Sequence, residues 1–185
     1  MARSRGKASL RAGSRAAHSS TNPWADVGTS GKTLHIGQFL TFQLIRLANA
    51  AKSNVTRRYL AAFGLSVPEW RLLAMTVRFQ PVRFSELVAN SSIDKGQASR
   101  TLQVLTKRGL IATRTLAGGA RRPGDGAPVI LTVTPKGRKL YATALPVAQR
   151  NQARLLHLLT RDERKTLYTV LNKLYAAIGD LGVLT

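Results

Sequence analysis

The sequence predicts a mainly α-helical fold carrying one small β-hairpin, and three observations predict it. Apolar residues recur at steps of three and four over most of the chain from Leu34 onward. Ser66, Asp94, Thr134 and Thr160 each stand where a helix would need an N-cap. Two short runs, 110–116 and 129–133, are rich in Ile, Val, Leu and Thr and flank a glycine-rich stretch.

Taken in order, residues 1–32 carry six basic side chains against Asp26 and few large apolar ones, so this stretch reads as a basic, disordered arm. Ile36, Leu40, Leu44, Leu47, Ala51 and Val55 then form one stripe of a long amphipathic helix, which should close at Gly64. Ser66 with Glu69 three residues on is a capping box, and Pro68 sits in the first turn, so a second helix is expected from about Val67 to Arg78. Pro81 breaks the chain, and a short third helix from Phe84 should end in the polar turn Asn90-Ser91-Ser92. Asp94 and Gln97 have the spacing for reciprocal capping of a fourth helix, which runs to Arg108 and is closed by Gly109. After the hairpin, Thr134-Pro135 opens a fifth helix that Pro146 is expected to kink or split. A last helix starts at Thr160, with Leu167, Leu171, Leu174, Ile178 and Leu181 along one stripe.

A short helix, a polar turn, a second helix and then a hairpin make a winged helix-turn-helix lobe. On its second helix Ala98, Leu102 and Leu105 should face the core, leaving Gly96, Ser99, Arg100 and Gln103 outward, with Lys95 and Gln97 near the N-terminus. Arg can fork onto guanine and Gln onto adenine, while Ser, Lys and the helix N-terminus suit phosphate. Gly96 would let the backbone approach closely. Residues 83–122 hold eight basic side chains against two acidic ones, net +6, in a chain whose formal charge is +21. Such a charge asks for a polyanion, and double-stranded DNA is the expected partner.

Four segments carry a family resemblance: Leu65-Ser66-Val67-Pro68-Glu69-Trp70-Arg71-Leu72-Leu73, Asp94-Lys95-Gly96-Gln97-Ala98-Ser99-Arg100, Lys107-Arg108-Gly109-Leu110-Ile111 and Leu131-Thr132-Val133-Thr134-Pro135-Lys136-Gly137. In this order and spacing, from about Leu34 to Leu181, the chain resembles the MarR family of transcriptional regulators. The resemblance implies a cytoplasmic, nucleoid-associated bacterial homodimer whose terminal helices intertwine and whose two lobes bind a pseudo-palindromic operator, with repression as the expected outcome. It divides the chain into the arm (1–32), a first dimerisation helix and connection (33–66), the DNA-binding lobe (67–134) and C-terminal dimerisation helices (135–185). Dimerisation falls to Ile36, Leu40, Leu167, Leu171, Leu174, Ile178 and Leu181, and DNA contact to Lys95, Gln97, Ser99, Arg100 and Gln103. The wing departs from the family pattern: Asp125 is followed by Gly126 and Ala127 where basic residues are usual, so Arg121 and Arg122 in the tip become the substitute contacts. The resemblance further implies a small aromatic or phenolic ligand, for which Trp70, Phe39, His35 and Arg71 are candidates; their other reading is plain core.

Several classes are excluded or disfavoured. The absence of cysteine removes disulfides, cysteine-ligated metal and thiol chemistry. His18, His35 and His157 are far apart, so no metal or cofactor is expected. The eight acids are scattered and no phosphate-binding glycine loop is present, so no catalytic residues are assigned. No stretch has the length of apolar sequence a membrane span requires. The competing reading is an architectural, nucleoid-type protein that coats DNA with little sequence preference.

Overall fold

The computed structural model describes residues 22–91, 93–115 and 128–180. The expectations for the arm before residue 22, for Arg121, Arg122, Asp125, Gly126 and Ala127 in the wing tip, and for Leu181 lie outside the described residues. The chain divides between Arg46 and Leu47 into two compact units.

In the first unit, residues 22–32 are turned, which limits the expectation of a disordered arm: Ala25, Gly31 and Leu34 donate backbone bonds to Asn22, Gly28 and Gly31. Trp24 Nε1 also donates to Gln38 O at 2.6 Å. The helix expected from Leu34 is interrupted. Residues Ile36–Gln38 form a separate 3₁₀ turn, and Phe39 is extended (φ −61°, ψ 132°) before α1 (Leu40–Ala51) begins. Ile36 therefore stands off the α1 stripe.

In the second unit the helical backbone runs on through a π turn (Lys52–Thr56) into α2 (Arg57–Ala61). The π turn shifts the helical phase, which a uniform 3.6-residue reading cannot foresee. Gly64 closes α2 with φ 61°. Gly64 N donates to Ala61 O and Leu65 N to Leu60 O, the paired bonds of a Schellman motif, and Leu60 and Leu65 bury together beneath it.

Helix α3 (Val67–Phe79) opens as expected. Ser66 N donates to Glu69 Oε2 at 2.7 Å and Glu69 N to Ser66 Oγ at 3.3 Å. Helix α4 (Phe84–Ser91) extends into the expected polar turn, because Ser91 Oγ bonds Val88 O and then accepts from Ile93 N, and Ile93 buries. Helix α5 (Lys95–Lys107) ends at Gly109 (φ 68°) in a second Schellman motif, with Leu110 N on Leu105 O at 2.9 Å.

The expected hairpin is present as β2 (Ile111–Thr115) and β3 (Val129–Val133), antiparallel, with Ile111 opposite Val133 and Thr115 opposite Val129. A third strand, β1 (Val82–Arg83), pairs with the other edge of β3, giving the order β1-β3-β2. Two residues are too few to show an alternating pattern, so this strand has no sequence signal. The core lies between α3, α4, α5 and the sheet and is built from Leu72, Leu73, Val82, Leu87, Leu105, Leu110, Ile111 and Leu131.

Helix α6 (Pro135–Leu156) is not split at Pro146. One lost backbone bond is outweighed where Ala144 and Ala148, on either side of the proline, are both buried. Helix α7 (Arg161–Asp180) is opened by the Thr160–Glu163 capping box and buries no residue among those described.

The start of α6 is fastened to the end of α5. Thr134 Oγ1 donates to Gly109 O at 2.7 Å, Thr134 N to Leu110 O at 3.1 Å, and Lys136 Nζ to Arg108 O at 2.8 Å. Gly137 lies directly over Leu110: a Cβ at this position would come within 2.1 Å of Leu110 O and 2.9 Å of Val133 Cγ2. From the other side, Arg108 Nη1 donates to Glu69 Oε1 at 2.7 Å and to Gly64 O at 2.9 Å. Glu69 is held below the ordinary carboxylate range: burial alone would raise it, but the Ser66 bonds and the Arg108 guanidinium together outweigh that.

Gly137→Ala should lower the unfolding free energy by about 2 kcal/mol, because the clash is with backbone that cannot swing away; urea denaturation showing a loss below about 0.5 kcal/mol would mean that the contact relaxes freely. A depressed folded-state pKa contributes stability that is complete above the unfolded value and is lost as pH falls through the folded one. Glu69→Gln should thus cost roughly 1–2 kcal/mol at pH 7, with wild type and variant converging as the solution is acidified through the carboxylate range. A gap that stays constant down to the lowest pH at which both fold would show that the Glu69 charge contributes nothing.

Candidate nucleic-acid interface

The candidate site is the outer face of α5, and its inner face fixes which side chains stand there. Ala98 and Leu105 are fully buried and Leu102 packs against the same core, as the periodicity predicts. Thr101 is buried as well, its Oγ1 satisfied by Gln97 O at 2.7 Å, a solution that its polarity conceals in the sequence. With that side committed to the core, Lys95, Gly96, Gln97, Ser99, Arg100 and Gln103 all lie exposed.

Asp94 caps the helix, its Oδ1 accepting from Gln97 N at 2.7 Å. The bond expected in return from the Gln97 side chain is not among those formed; that side chain is exposed and free to face outward. A Cβ on Gly96 would meet Asp94 Oδ1 at 3.4 Å and Arg100 Nη1 at 3.5 Å, which are ordinary contacts. Among the described residues, nothing therefore requires glycine here. The same distances place the Arg100 guanidinium back along the helix, over its N-terminal turn. A shallow cleft of about 300 Å³ lies beside it, lined by Ser66, Glu69, Gln97, Arg100, Thr101 and Val104.

The charge expected on this half of the lobe is only partly available. Lys95, Arg100, Lys107 and Arg114 are exposed. Arg108 is not free, since it is bound to Glu69 and Gly64. Arg83 lies 3.8 Å from Glu86 on the surface. The described part of the wing exposes Ala112, Thr113, Arg114 and Thr115 on β2.

The ligand candidates fall in both units. His35 and Phe39 are exposed in the first, and Phe42 nearby is stacked under the Arg46 guanidinium at 5.9 Å. In the second, Trp70 stacks on Tyr141 with ring centroids 5.5 Å apart and packs against Leu60, Leu65 and Val67. Protein atoms thus already cover one face of its indole, while Arg71 is exposed. An open apolar groove of about 570 Å³ lies at the α6–α7 elbow, against Leu159, Leu167 and Val170. Among the described residues, no three His, Asp or Glu side chains gather as a metal site, and no helix is long and apolar enough to cross a membrane.

Residues 63–122, which hold α3 to β2, match the MarR family. An HTH-type transcriptional regulator, BilQ, from Clostridium symbiosum is 34% identical over 89 residues, 48% of this chain and 58% of the relative, so the match spans just over half of that protein's length. A MarR/EmrR family regulator from Acinetobacter sp. ADP1 superposes with a TM-score of 0.67 at 22% identity over 80% of this chain and 99% of its own. A Mycobacterium tuberculosis MarR family protein in complex with salicylic acid superposes with a TM-score of 0.56 at 25% identity, covering 74% of this chain and 96% of its own. The sequence of the winged lobe is thus similar to the MarR family, and the fold is that of the MarR regulators with which it superposes.

Proposed function

We propose that the protein is a sequence-specific, double-stranded-DNA-binding transcriptional regulator that acts as a homodimer on a pseudo-palindromic operator. The observation that carries this reading is the α5 face: Lys95, Gln97, Ser99, Arg100 and Gln103 exposed on a helix whose other side is fixed in the core. A helix held in this way can present base-reading groups in the major groove with little orientational freedom. The reading is non-enzymatic. Glu69, Glu86, Asp94, Asp162 and Glu163 are each taken up in a cap or an ion pair.

Dimerisation is supported by what the single chain leaves uncovered. Leu167, Leu171 and Ile178 are 43%, 38% and 64% exposed along α7, and Ile36 and Leu40 are 63% and 37% exposed in the first unit. Apolar stripes of this extent suit a partner helix better than water. Two symmetry-related lobes then call for half-sites about one helical turn apart. Repression follows if the operator overlaps a promoter. Release by a small aromatic acid is supported by the salicylic acid in the M. tuberculosis relative; a ligand of this kind acts by favouring a dimer whose recognition helices no longer match the half-site spacing.

Selection of random duplexes on the protein at about 150 mM salt, where attraction by charge alone is weak, should return an inverted repeat; recovery of no motif would favour a DNA-coating role instead. On the recovered repeat, Arg100→Ala should weaken binding by about 1–3 kcal/mol while leaving random duplex almost unaffected. Equal losses on both would remove Arg100 from base recognition. Leu171→Glu combined with Ile178→Glu should yield a monomer in sedimentation and weaken operator binding more than tenfold. A variant that stays dimeric would take α7 out of the interface.

A further inference from the structure

Arg108 presents a contradiction between sequence and structure. By charge and position it belongs with the cations of the DNA-facing half, yet its guanidinium points inward and joins three helix ends. A single nitrogen, Nη1, donates to Gly64 O at the C-terminus of α2 and to Glu69 Oε1 in the first turn of α3. The Arg108 carbonyl, at the end of α5, accepts from Lys136 Nζ. The Arg108 side chain is 34% exposed and the Glu69 side chain 12%, so the ion pair is half removed from solvent. Glu69 is fixed in its turn by Ser66 through its second oxygen.

We propose that Arg108 is a positioning residue: it sets the pose of α5 against α2 and α3, so that Lys95, Gln97, Ser99 and Arg100 arrive at the base edges in register. This rests on the DNA-binding reading above. The lever explains why one residue at the far end matters. At 1.5 Å per residue, Arg100 lies about 12 Å and Lys95 about 20 Å from Arg108 along the helix, so a swing of about 10° displaces them by roughly 2 and 3 Å. Bidentate contacts to a base fail over a few tenths of an ångström, whereas attraction to the phosphates hardly changes. The apolar packing of Ala98 and Leu105 resists separation from the core but is non-directional. The two bonds from Nη1, whose hydrogens are fixed in the guanidinium plane, are directional. Lysine, with its freely rotating ammonium on a flexible stem, keeps the charge but does not enforce that geometry.

The test uses the full chain and two duplexes of equal length, one bearing the selected repeat and one of random sequence. Arg108→Lys should reduce the ratio of repeat to random affinity about tenfold, with random-duplex affinity and the salt slope unchanged. Glu69→Gln, whose amide oxygen can still accept from Ser66 N, should reduce the ratio about threefold and add little on top of Arg108→Lys, because the two residues act as one unit. The second variant keeps the test decisive if the first does not fold. A full wild-type ratio in either folded variant overturns the proposal. So does the phosphate-contact pattern, in which Arg108→Gln weakens both duplexes alike, lowers the salt slope by about 1, and is restored by lysine. Failure of the underlying reading looks different, because the unsubstituted chain would then fail to distinguish the two duplexes.

Discussion

The end of α5 is the constraint on which the lobe depends. A helix leaves its last carbonyls without intrahelical partners; in α5 those of Leu105 and Thr106 are met by the Schellman bonds, and the turn that follows carries further carbonyls that need donors. Here the carbonyls of Arg108, Gly109 and Leu110 are all met by the start of α6, through Lys136, the Thr134 hydroxyl and the Thr134 amide. The arrangement requires α6 to begin almost in contact with Leu110, and only glycine at position 137 allows that approach. The segment Thr134-Pro135-Lys136-Gly137 is therefore a cap for two helices at once: it starts α6 and finishes α5. Because β2 begins at Ile111, immediately after this junction, the wing strand takes its direction from the same set of bonds.

Away from that junction the fold divides into parts with different requirements. The described buried residues run from Leu60 to Ala148, and none lies in α1 or α7. The lobe thus has a core of its own, while the terminal helices carry apolar stripes that the single chain does not cover. A monomer would hold large hydrophobic side chains such as Leu47, Tyr175 and Ile178 in water at 69%, 78% and 64% exposure. Stability of the lobe and the proposed association of the terminal helices are consequently separable, open to separate substitution.

What could be read from the sequence was local. The caps at Ser66, Asp94, Thr134 and Thr160 and the closing glycines at 64 and 109 each act within a few residues of themselves, and each stands where its chemistry predicts. The outward residues of α5 were legible for the same reason, since helical period alone sorts them from Ala98 and Leu105. What could not be read depends on partners far along the chain. Strand β1 exists because β3, almost fifty residues later, offers it an edge. Pro146 sits within a continuous α6 because its neighbours pack against other elements. Arg108 finds its acceptors 39 and 44 residues upstream, and nothing in its identity distinguishes such a residue from a cation waiting for phosphate. Charge counts along a segment treat every arginine alike.

That distinction matters most in a chain charged to +21. The acids at Glu69, Glu86, Asp94, Asp162 and Glu163 are spent on caps and ion pairs, and among the described residues only Arg83, Arg108 and Lys165 are neutralised by a carboxylate. Most of the positive charge is therefore left to act at long range, where it raises affinity for any polyanion in proportion to phosphates neutralised and without regard to sequence. Discrimination between sequences has to come from the few side chains whose positions are fixed, and the higher the background attraction, the more it depends on how rigidly they are held. In this fold rigidity comes from structural use of residues that composition would assign to binding: an arginine turned inward, a lysine laid on a carbonyl, and acids placed as caps. On the proposed DNA-binding reading, selectivity rests on the charges withdrawn from the surface as much as on those displayed.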